Sequence, residues 1–265
     1  MCGLVGFAAS GERCADRLAL AMSALRHRGP DGQGESLRGR VALGHTRLSI
    51  IDLEGGAQPL LSACSRYVLV ATGEIYNHTE LRGELRKSGA RFQTKSDCEV
   101  ILQGYMVWGR EILNRIEGMY AFALHEIERD EVLLAGDALG MERLYWCQSG
   151  EGVRFASELK ALLALLPATP DLNSTALVQF IEAQHPLSRN TPFLGVERLL
   201  AGEALLIRNG RRAEQWRHWC INDVSHASPD DPIAELDGLM QTVFTQHQRA
   251  DVPIGLFLSG GVDST

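Results

Sequence analysis

Cys2 stands directly after Met1, and that position changes what its thiol can do. Removal of Met1, which a side chain as small as cysteine's permits, leaves a thiol nucleophile and an α-amine on one backbone unit. An α-amine has a reference pKa of about 7.7 to 8.0, so it can serve as the base without a separate histidine. Read alone, Cys2 is better taken as an ordinary small apolar residue near a frayed end, ahead of the buried strand Leu4-Val5-Gly6-Phe7-Ala8-Ala9. Arg47 lies inside the apolar run Val41 to Ile51, where an unpaired guanidinium is costly. It reads as a carboxylate clamp or as half of an internal salt bridge. Tyr67 to Thr72 is a β-run that stops at Gly73 and presents Glu74, as a ligand edge or a plain turn. Ser96-Asp97-Cys98-Glu99 has the spacing of a capping box, with Asp97 as a first-turn carboxylate. Near the end, Ser259-Gly260-Gly261 follows an apolar segment, which suits a phosphate-binding nest or a flexible turn. No lysine follows these glycines, so this is not a Walker A loop.

The elements that must position these residues are mostly short. Helical periodicity runs over Ala15 to His27, over 78–88, 97–116 and 158–166, and over Ser174 to Ala183 behind an Asn-Ser cap. Gly118 to Ile127 and Glu131 to Gly136 form a strand pair, with further strands near Tyr145 and over Val153 to Ala156. Glu203 to Ile207 and Arg212 to Trp216 make a hairpin about Asn209-Gly210. Packed antiparallel sheets with helices outside would bury this pattern, which is an α+β arrangement. Residues 221–232 are polar and read as a linker; a helix over Ile233 to Gln248 and a strand over Val252 to Leu258 follow. Arg26-His27-Arg28 precede Gly29-Pro30-Asp31-Gly32; the turn explains the glycines and proline but does not require three basic side chains.

The 265 residues are 45% hydrophobic and 22% charged, with a formal net charge of -7 and a pI near 5.6. That balance argues against nucleic acid as a partner. Leu18 to Leu25 is too short and amphipathic for a signal or a spanning helix, so no membrane association and a cytoplasmic location are expected. The six cysteines are scattered without a C-x-x-C pair or clustered histidines, which leaves no metal site and no disulfide framework to expect.

MCGLVGF, RHRGPDG, HTRLSIID, GAQPL, GEIYNH, SDCEVI, GMYAFAL, FASELKAL and DVPIGLFLSGGVDS occur in the order found in glutamine-dependent asparagine synthetases of the B type. The chain resembles that family over nearly its whole length. The resemblance implies a class II glutamine amidotransferase domain over 1–220, with the four-layer αββα N-terminal nucleophile hydrolase fold. It further implies a linker over 221–232 and, over 233–265, the first helix and strand of an incomplete α/β ATP pyrophosphatase domain. Cys2 would attack the glutamine carboxamide, release ammonia and leave a γ-glutamyl thioester for water to cleave. Arg47 would hold the α-carboxylate and Asp97 the α-ammonium; Leu48, Ser49, Ile50, Ile51, Thr72, Gly73 and Glu74 would complete the pocket. Gly73 N–H and Thr72 would face the oxyanion. Leu258, Ser259, Gly260, Gly261, Asp263 and Ser264 would grip the pyrophosphate. Glutamine hydrolysis would need no cofactor, while ATP, Mg2+ and aspartate would serve the synthetase half, and a homodimer is the candidate assembly. The chain is expected to be a piece of a longer synthetase that makes no asparagine alone, its tail from about residue 221 loosely packed.

The family places Asn before Gly-Glu, where this chain has Thr72. Loss of one oxyanion donor typically costs about 10² to 10³ in rate, so weak glutaminase activity is expected. Lys95, Gly136 (where an arginine commonly precedes the aspartate) and Arg143 also depart from the family pattern. Two further readings are a silent glutamine-binding module and an amidotransferase serving another acceptor.

Overall fold

The side chains of Tyr67–Ile75 alternate between two cores, and that alternation sets the layering. In this computed structural model, which describes residues 1–9, 15–150, 152–223 and 229–262, the strand is β5. Val68 and Val70 point toward a second sheet, while Leu69, Ala71 and Ile75 point toward helices. One sheet comprises β1 (Gly3–Ala9), β2 (Gly32–Arg38), β3 (Val41–Arg47), β8 (Tyr145–Ser149), β9 (Gly152–Ala156) and β10 (Val196–Arg198), in the order β10-β8-β9-β1-β3-β2. The other comprises β4 (Leu60–Leu61), β5, β6 (Gly118–Glu126), β7 (Glu131–Gly136), β11 (Glu203–Arg208) and β12 (Arg211–Arg217), in the order β12-β11-β7-β6-β5-β4. Pairing is antiparallel throughout these strands.

Three apolar clusters hold four layers together. Leu4, Leu43, Val70, Ala123, Leu134 and Phe155 fill the space between the sheets. On the outer face of the first sheet, Val5, Phe7 and Ala42 pack against Leu18, Met22 and Leu25 of helix α1 (Ala15–Ala24) and its exit, and Leu162 and Leu165 of α4 (Leu159–Leu165). On the outer face of the second, Leu69, Phe122 and Leu133 pack against Leu81 and Leu85 of α2 (His78–Lys87) and Val100 and Ile101 of α3 (Glu99–Trp108). The molecule is thus an αββα sandwich, the α+β fold the strand and helix pattern implied. A fully buried aliphatic side chain contributes about 1.5 to 3 kcal/mol, so the alternation in each strand is strongly enforced.

Several element boundaries differ from the sequence reading. The run expected as one strand to Ile51 ends at Arg47, and 48–56 is a loop. β5 does not stop at Gly73 but continues to Ile75, pairing Gly73 with Tyr120. The helix expected over 97–116 breaks at Gly109 (φ 59°) into α3 and a 3-10 turn. The capping box is absent: Cys98 occupies the N-cap without a side-chain bond, and the Glu99 carboxylate accepts from the N–H groups of Gln93 and Thr94. Gly32–Arg38, read only as following a turn, is the edge strand β2, whose polar alternation suits a half-solvated edge. Val252 to Leu258, expected as a strand, has no strand pairing among the described residues, and Phe257 is 100% exposed. An extended segment without a neighbouring strand has no ladder to join. Helices α5 (Ser174–Ala183) and α6 (Pro232–His247) form as read, capped by Asn173 and Asp231. No described helix is long and apolar enough to cross a membrane.

Candidate active site

Cys2 leads into β1 at the end of the sandwich where β3 gives way to the 48–56 loop and β5 bends at Gly73. Its Sγ lies 3.3 Å from Leu48 N and 3.5 Å from Leu48 O. The Cys2 carbonyl oxygen accepts from Arg28 Nε at 2.7 Å and from Thr72 Oγ1 at 2.8 Å. Arg28 in turn pairs at 2.8 Å with Glu142, whose Oε2 also accepts from Thr72 at 3.3 Å. Two donors on one carbonyl fix the backbone that carries the thiol. Arg28 comes from the basic triplet that the turn left unexplained. Burial pushes the Cys2 thiol up, opposed by the Leu48 N–H, the N-terminal charge and Arg47.

The pocket beside Cys2 is lined by Met1, Arg47, Leu48, Ile50, Ile51, Gly73, Glu74 and Asp97, together with Gly56, Gln58, Ala71, Ser96, Cys98 and Met119. Arg47 Nη1 donates to Leu53 O at 3.1 Å, and Nη2 to Ile51 O at 3.1 Å and Asp52 O at 2.6 Å. A guanidinium has five N–H donors. Three are taken up by loop carbonyls, which leaves two for a carboxylate on a group that lines the cavity. Among the described residues Arg47 forms no internal salt bridge of the kind weighed from sequence; carbonyl oxygens hold the group.

Asp97 is buried at 5% exposure and precedes α3. Its Oδ2 accepts from Ile75 N at 2.9 Å. Burial raises its carboxyl, opposed first by that Ile75 N–H. Glu74 is half-buried in the same pocket; burial raises it, and Asp97 raises it further. Two carboxylates that repel each other favour a cation between them.

β5 also lines the pocket edge at Gly73. Tyr120, opposite Gly73, directs its N–H and C=O toward Asp137 on its other flank. Along β5, the N–H of Ala71 goes to Gln58 and that of Ile75 to Asp97, both away from β6. The antiparallel alternation therefore directs the Gly73 N–H, between them, to the pocket edge. Gly73 has φ 108°, and a Cβ there would stand 1.9 Å from Met119 O, so only glycine fits.

Of the expected residues, Cys2, Arg47, Leu48, Ile50, Ile51, Gly73, Glu74 and Asp97 come together. Ser49 is not among the residues that line the pocket, and its N–H donates to Asp31 Oδ2 at 2.8 Å. Thr72, expected to offer an oxyanion donor, directs its hydroxyl to the Cys2 carbonyl and Glu142. Sequence reading missed Arg28, Gln58 and Glu142; Gln58 lies in the quoted GAQPL, but Glu142 carried no local signal. Leu258, Ser259, Gly260 and Gly261 stand exposed in the tail without a neighbouring strand among the described residues, and Asp263 and Ser264 lie outside them. The described residues do not fit a nucleotide there. None of them forms a His, Cys, Asp and Glu group suited to a metal. A wider cleft of about 470 Å³ at the far end, lined by Ser149, Gly150, Arg211 and Arg212, holds no thiol.

Residues 1–219 match the family described as Glutamine amidotransferase domain, and residues 235–265 match that described as Asparagine synthase. Asparagine synthetase B (glutamine-hydrolyzing) of Escherichia coli strain K12 is 37% identical over 250 residues, covering 93% of this chain and 40% of that protein. Asparagine synthetase (glutamine-hydrolyzing) 3 of Bacillus subtilis strain 168 is 32% identical over 278 residues, covering 100% of this chain and 44% of that one. The chain thus spans less than half the length of these relatives. Among solved structures, a glutamine phosphoribosylpyrophosphate amidotransferase from B. subtilis aligns with a TM-score of 0.59 at 21% identity, over 82% of this chain and 49% of that one. An allosteric regulatory enzyme of purine biosynthesis aligns with 0.61 at 22%, with the same coverage. These likenesses show the N-terminal nucleophile hydrolase type of fold.

Proposed function

Since the chain belongs to the glutamine amidotransferase family by the match over residues 1–219, we propose that it hydrolyses glutamine to glutamate and ammonia through Cys2. The observation that carries this reading is the gathering of Cys2 Sγ, two unclaimed Arg47 donors, the Asp97 and Glu74 carboxylates and the Gly73 N–H around one pocket. Met1 forms part of the pocket wall, so its removal both frees the α-amine and opens the space a substrate needs.

In this reading Arg47 holds the glutamine α-carboxylate and Asp97, with Glu74, holds the α-ammonium. Leu48, Ile50 and Ile51 cover the aliphatic stem. Charge pairing at both ends of the amino acid fixes the side-chain amide over the thiol. The α-amine takes the thiol proton as Sγ bonds to the amide carbon, and the Gly73 N–H receives the oxyanion. The same proton passes to the departing nitrogen, the C–N bond breaks, and ammonia leaves a γ-glutamyl thioester. Water, giving a proton to the α-amine, then bonds to the thioester carbon, the C–S bond breaks, and the departing Cys2 thiolate takes that proton back as glutamate leaves. Arg28 and Thr72 keep the Cys2 carbonyl in place throughout.

In the longer protein, ammonia would serve ATP- and Mg2+-dependent conversion of aspartate to asparagine, a role supported by the match over residues 235–265 and by the relatives' names. We set the domain limits at 1–220, 221–232 and 233–265, which place the break just after the last strand, β12. The free cysteines Cys2, Cys64, Cys98, Cys147 and Cys220 support a reducing, cytoplasmic setting. The Thr72 hydroxyl, turned to the Cys2 carbonyl, favours a second reading: a glutamine-binding module of low turnover.

The test is the mass of the mature N-terminus together with ammonia release from glutamine by the chain and its Cys2→Ala variant. Loss of Met1, and turnover that Cys2→Ala abolishes, are expected. Retained Met1, or turnover that survives the substitution, overturns the catalytic reading.

A further inference from the structure

The 48–56 loop around Arg47 is held from outside by a segment far along the chain. Asp52 N donates to Asp251 Oδ2 at 2.7 Å, and Asp251 N donates to Ile50 O at 3.0 Å. Asp52 itself is a junction. Its carbonyl oxygen receives Arg47 Nη2 at 2.6 Å, and its carboxylate accepts from Lys95 N at 2.7 Å and Gly55 N at 3.1 Å. Lys95 lies two residues before Asp97. One residue therefore ties the cationic arm of the pocket to the strand of chain that carries the anionic arm. Asp52 also has φ 54°, a left-handed conformation that a non-glycine residue keeps only when its neighbours hold it.

The segment that supplies Asp251 is anchored independently. Arg249 forks onto Glu80, with Nη2 to Oε1 at 2.6 Å and Nη1 to Oε2 at 2.8 Å, and also donates to Tyr76 O. The His247 ring at the end of α6 lies 4.1 Å from the Tyr76 ring. Tyr76 adjoins β5 directly after Glu74 and Ile75, so both ends of the strap touch the pocket's frame.

We propose that Asp52 is a positioning residue for the glutamine clamp and that Asp251, reaching across from the region beyond α6, holds it in register. The inference rests on the glutamine-pocket reading above. Fixing Asp52 fixes the carbonyls that aim Arg47 and the backbone that leads into Asp97, so the strap acts on substrate binding and not on the thiol. Asp251 is exposed, and its truncation removes no core packing.

The experiment compares glutaminase kinetics of the chain with those of Asp251→Ala and Asp251→Asn, and measures how much glutamine protects Cys2 from iodoacetamide, read on the Cys2 peptide by mass spectrometry. Loss of the acceptor in Asp251→Ala is expected to raise KM, and the half-protecting glutamine concentration, about 5- to 10-fold, with kcat within about twofold. Asp251→Asn, whose side-chain carbonyl still accepts the Asp52 N–H, is expected to stay within about twofold of the parent on both measures. Unchanged KM and protection in Asp251→Ala overturn the inference while leaving the glutaminase reading intact; so does a fall in kcat alone. Glutamine protection without turnover in the parent chain removes the catalytic reading, yet the shift in protection still tests the strap. If the parent shows neither turnover nor protection, both fall.

Discussion

Thr72 and Cys2 together set what the pocket can do. The thiol is anchored through its own carbonyl, which takes hydrogen bonds from Arg28 and Thr72, while in the proposed mechanism the Gly73 N–H at the pocket edge is the one oxyanion donor. A hydroxyl oxygen two bonds from the Cα carbon, already engaged with Cys2 O and Glu142, does not reach the pocket edge. An asparagine at 72 carries its amide one atom farther and supplies the second donor. Thr72→Asn is therefore expected to raise kcat for glutamine by up to about 10²-fold, with KM little changed, in steady-state ammonia release. It also gives up one neutral hydrogen bond to Cys2 O, a loss of about 1 kcal/mol in urea unfolding. A variant with lower stability but no gain in turnover would show that the missing donor is not what limits the reaction.

Elements meet at the site through a buried ion pair. Arg28 leaves α1 toward β2, and Glu142 sits between β7 and β8; their side chains are 14% and 1% exposed. Burial raises the Glu142 carboxyl, with Arg28 the strongest group opposing that rise. The pair joins segments that the chain order keeps apart and brings both to Cys2. Breaking such a pair leaves a buried charge without its partner, at a typical loss of 3 to 5 kcal/mol. Glu142→Ala should lose about 3 kcal/mol or more in urea unfolding, and more glutaminase activity than the stability loss alone explains, because Arg28 then loosens its hold on the Cys2 carbonyl. Glu142→Gln keeps an acceptor for Arg28 and should recover part of both. A stability loss under about 1 kcal/mol for Glu142→Ala would mean the two connections are held by other contacts.

Across the whole molecule, acid sensitivity falls on buried histidines as well as on the pocket. His45 joins the two sheets, its Nε2 2.9 Å from Ala71 O, and burial lowers it to about 4. Burial likewise lowers His125 on β6 to about 4. Between pH 6.5 and about 4 the unfolded chain binds these protons and the folded chain does not. Stability therefore rises with pH across that window and is lost as pH falls through it. Each group contributes a slope of up to about 1.4 kcal/mol per pH unit. Glu142 and Asp97, raised by burial, act with the opposite sign just above the ordinary carboxylate range, since the folded state holds their protons longer. Urea midpoints measured from pH 4 to 7 should climb with pH, and His125→Leu should flatten that climb without altering glutamine turnover. A flat profile in the parent chain would contradict the neutral, buried state of these rings.

The sequence by itself determined the layers and much of the site's membership. Strand alternation has a period of two, so Val68, Val70 and their neighbours could face only one core at a time, and short strands between amphipathic helices admit few other packings. Local offsets alone left Cys2 a buried thiol and Asp97 a first-turn carboxylate; it was the order of the motifs around Cys2, Arg47, Gly73 and Asp97, through their family resemblance, that grouped these residues. Local offsets misled where a distant group took the same atoms. Ser96 and Glu99 read as a capping box until Gln93 and Thr94 claimed the carboxylate, and of the two readings of Arg47, clamp or ion pair, the loop carbonyls around it took the place of the ion pair. Only the tertiary structure decided that Thr72 faces the Cys2 carbonyl, that Glu142 shares Arg28 with it, and that Asp251 reaches Asp52. Those pairs are separated by 70, 114 and 199 residues, and no pattern within a strand or helix encodes a hydrogen bond across such a distance.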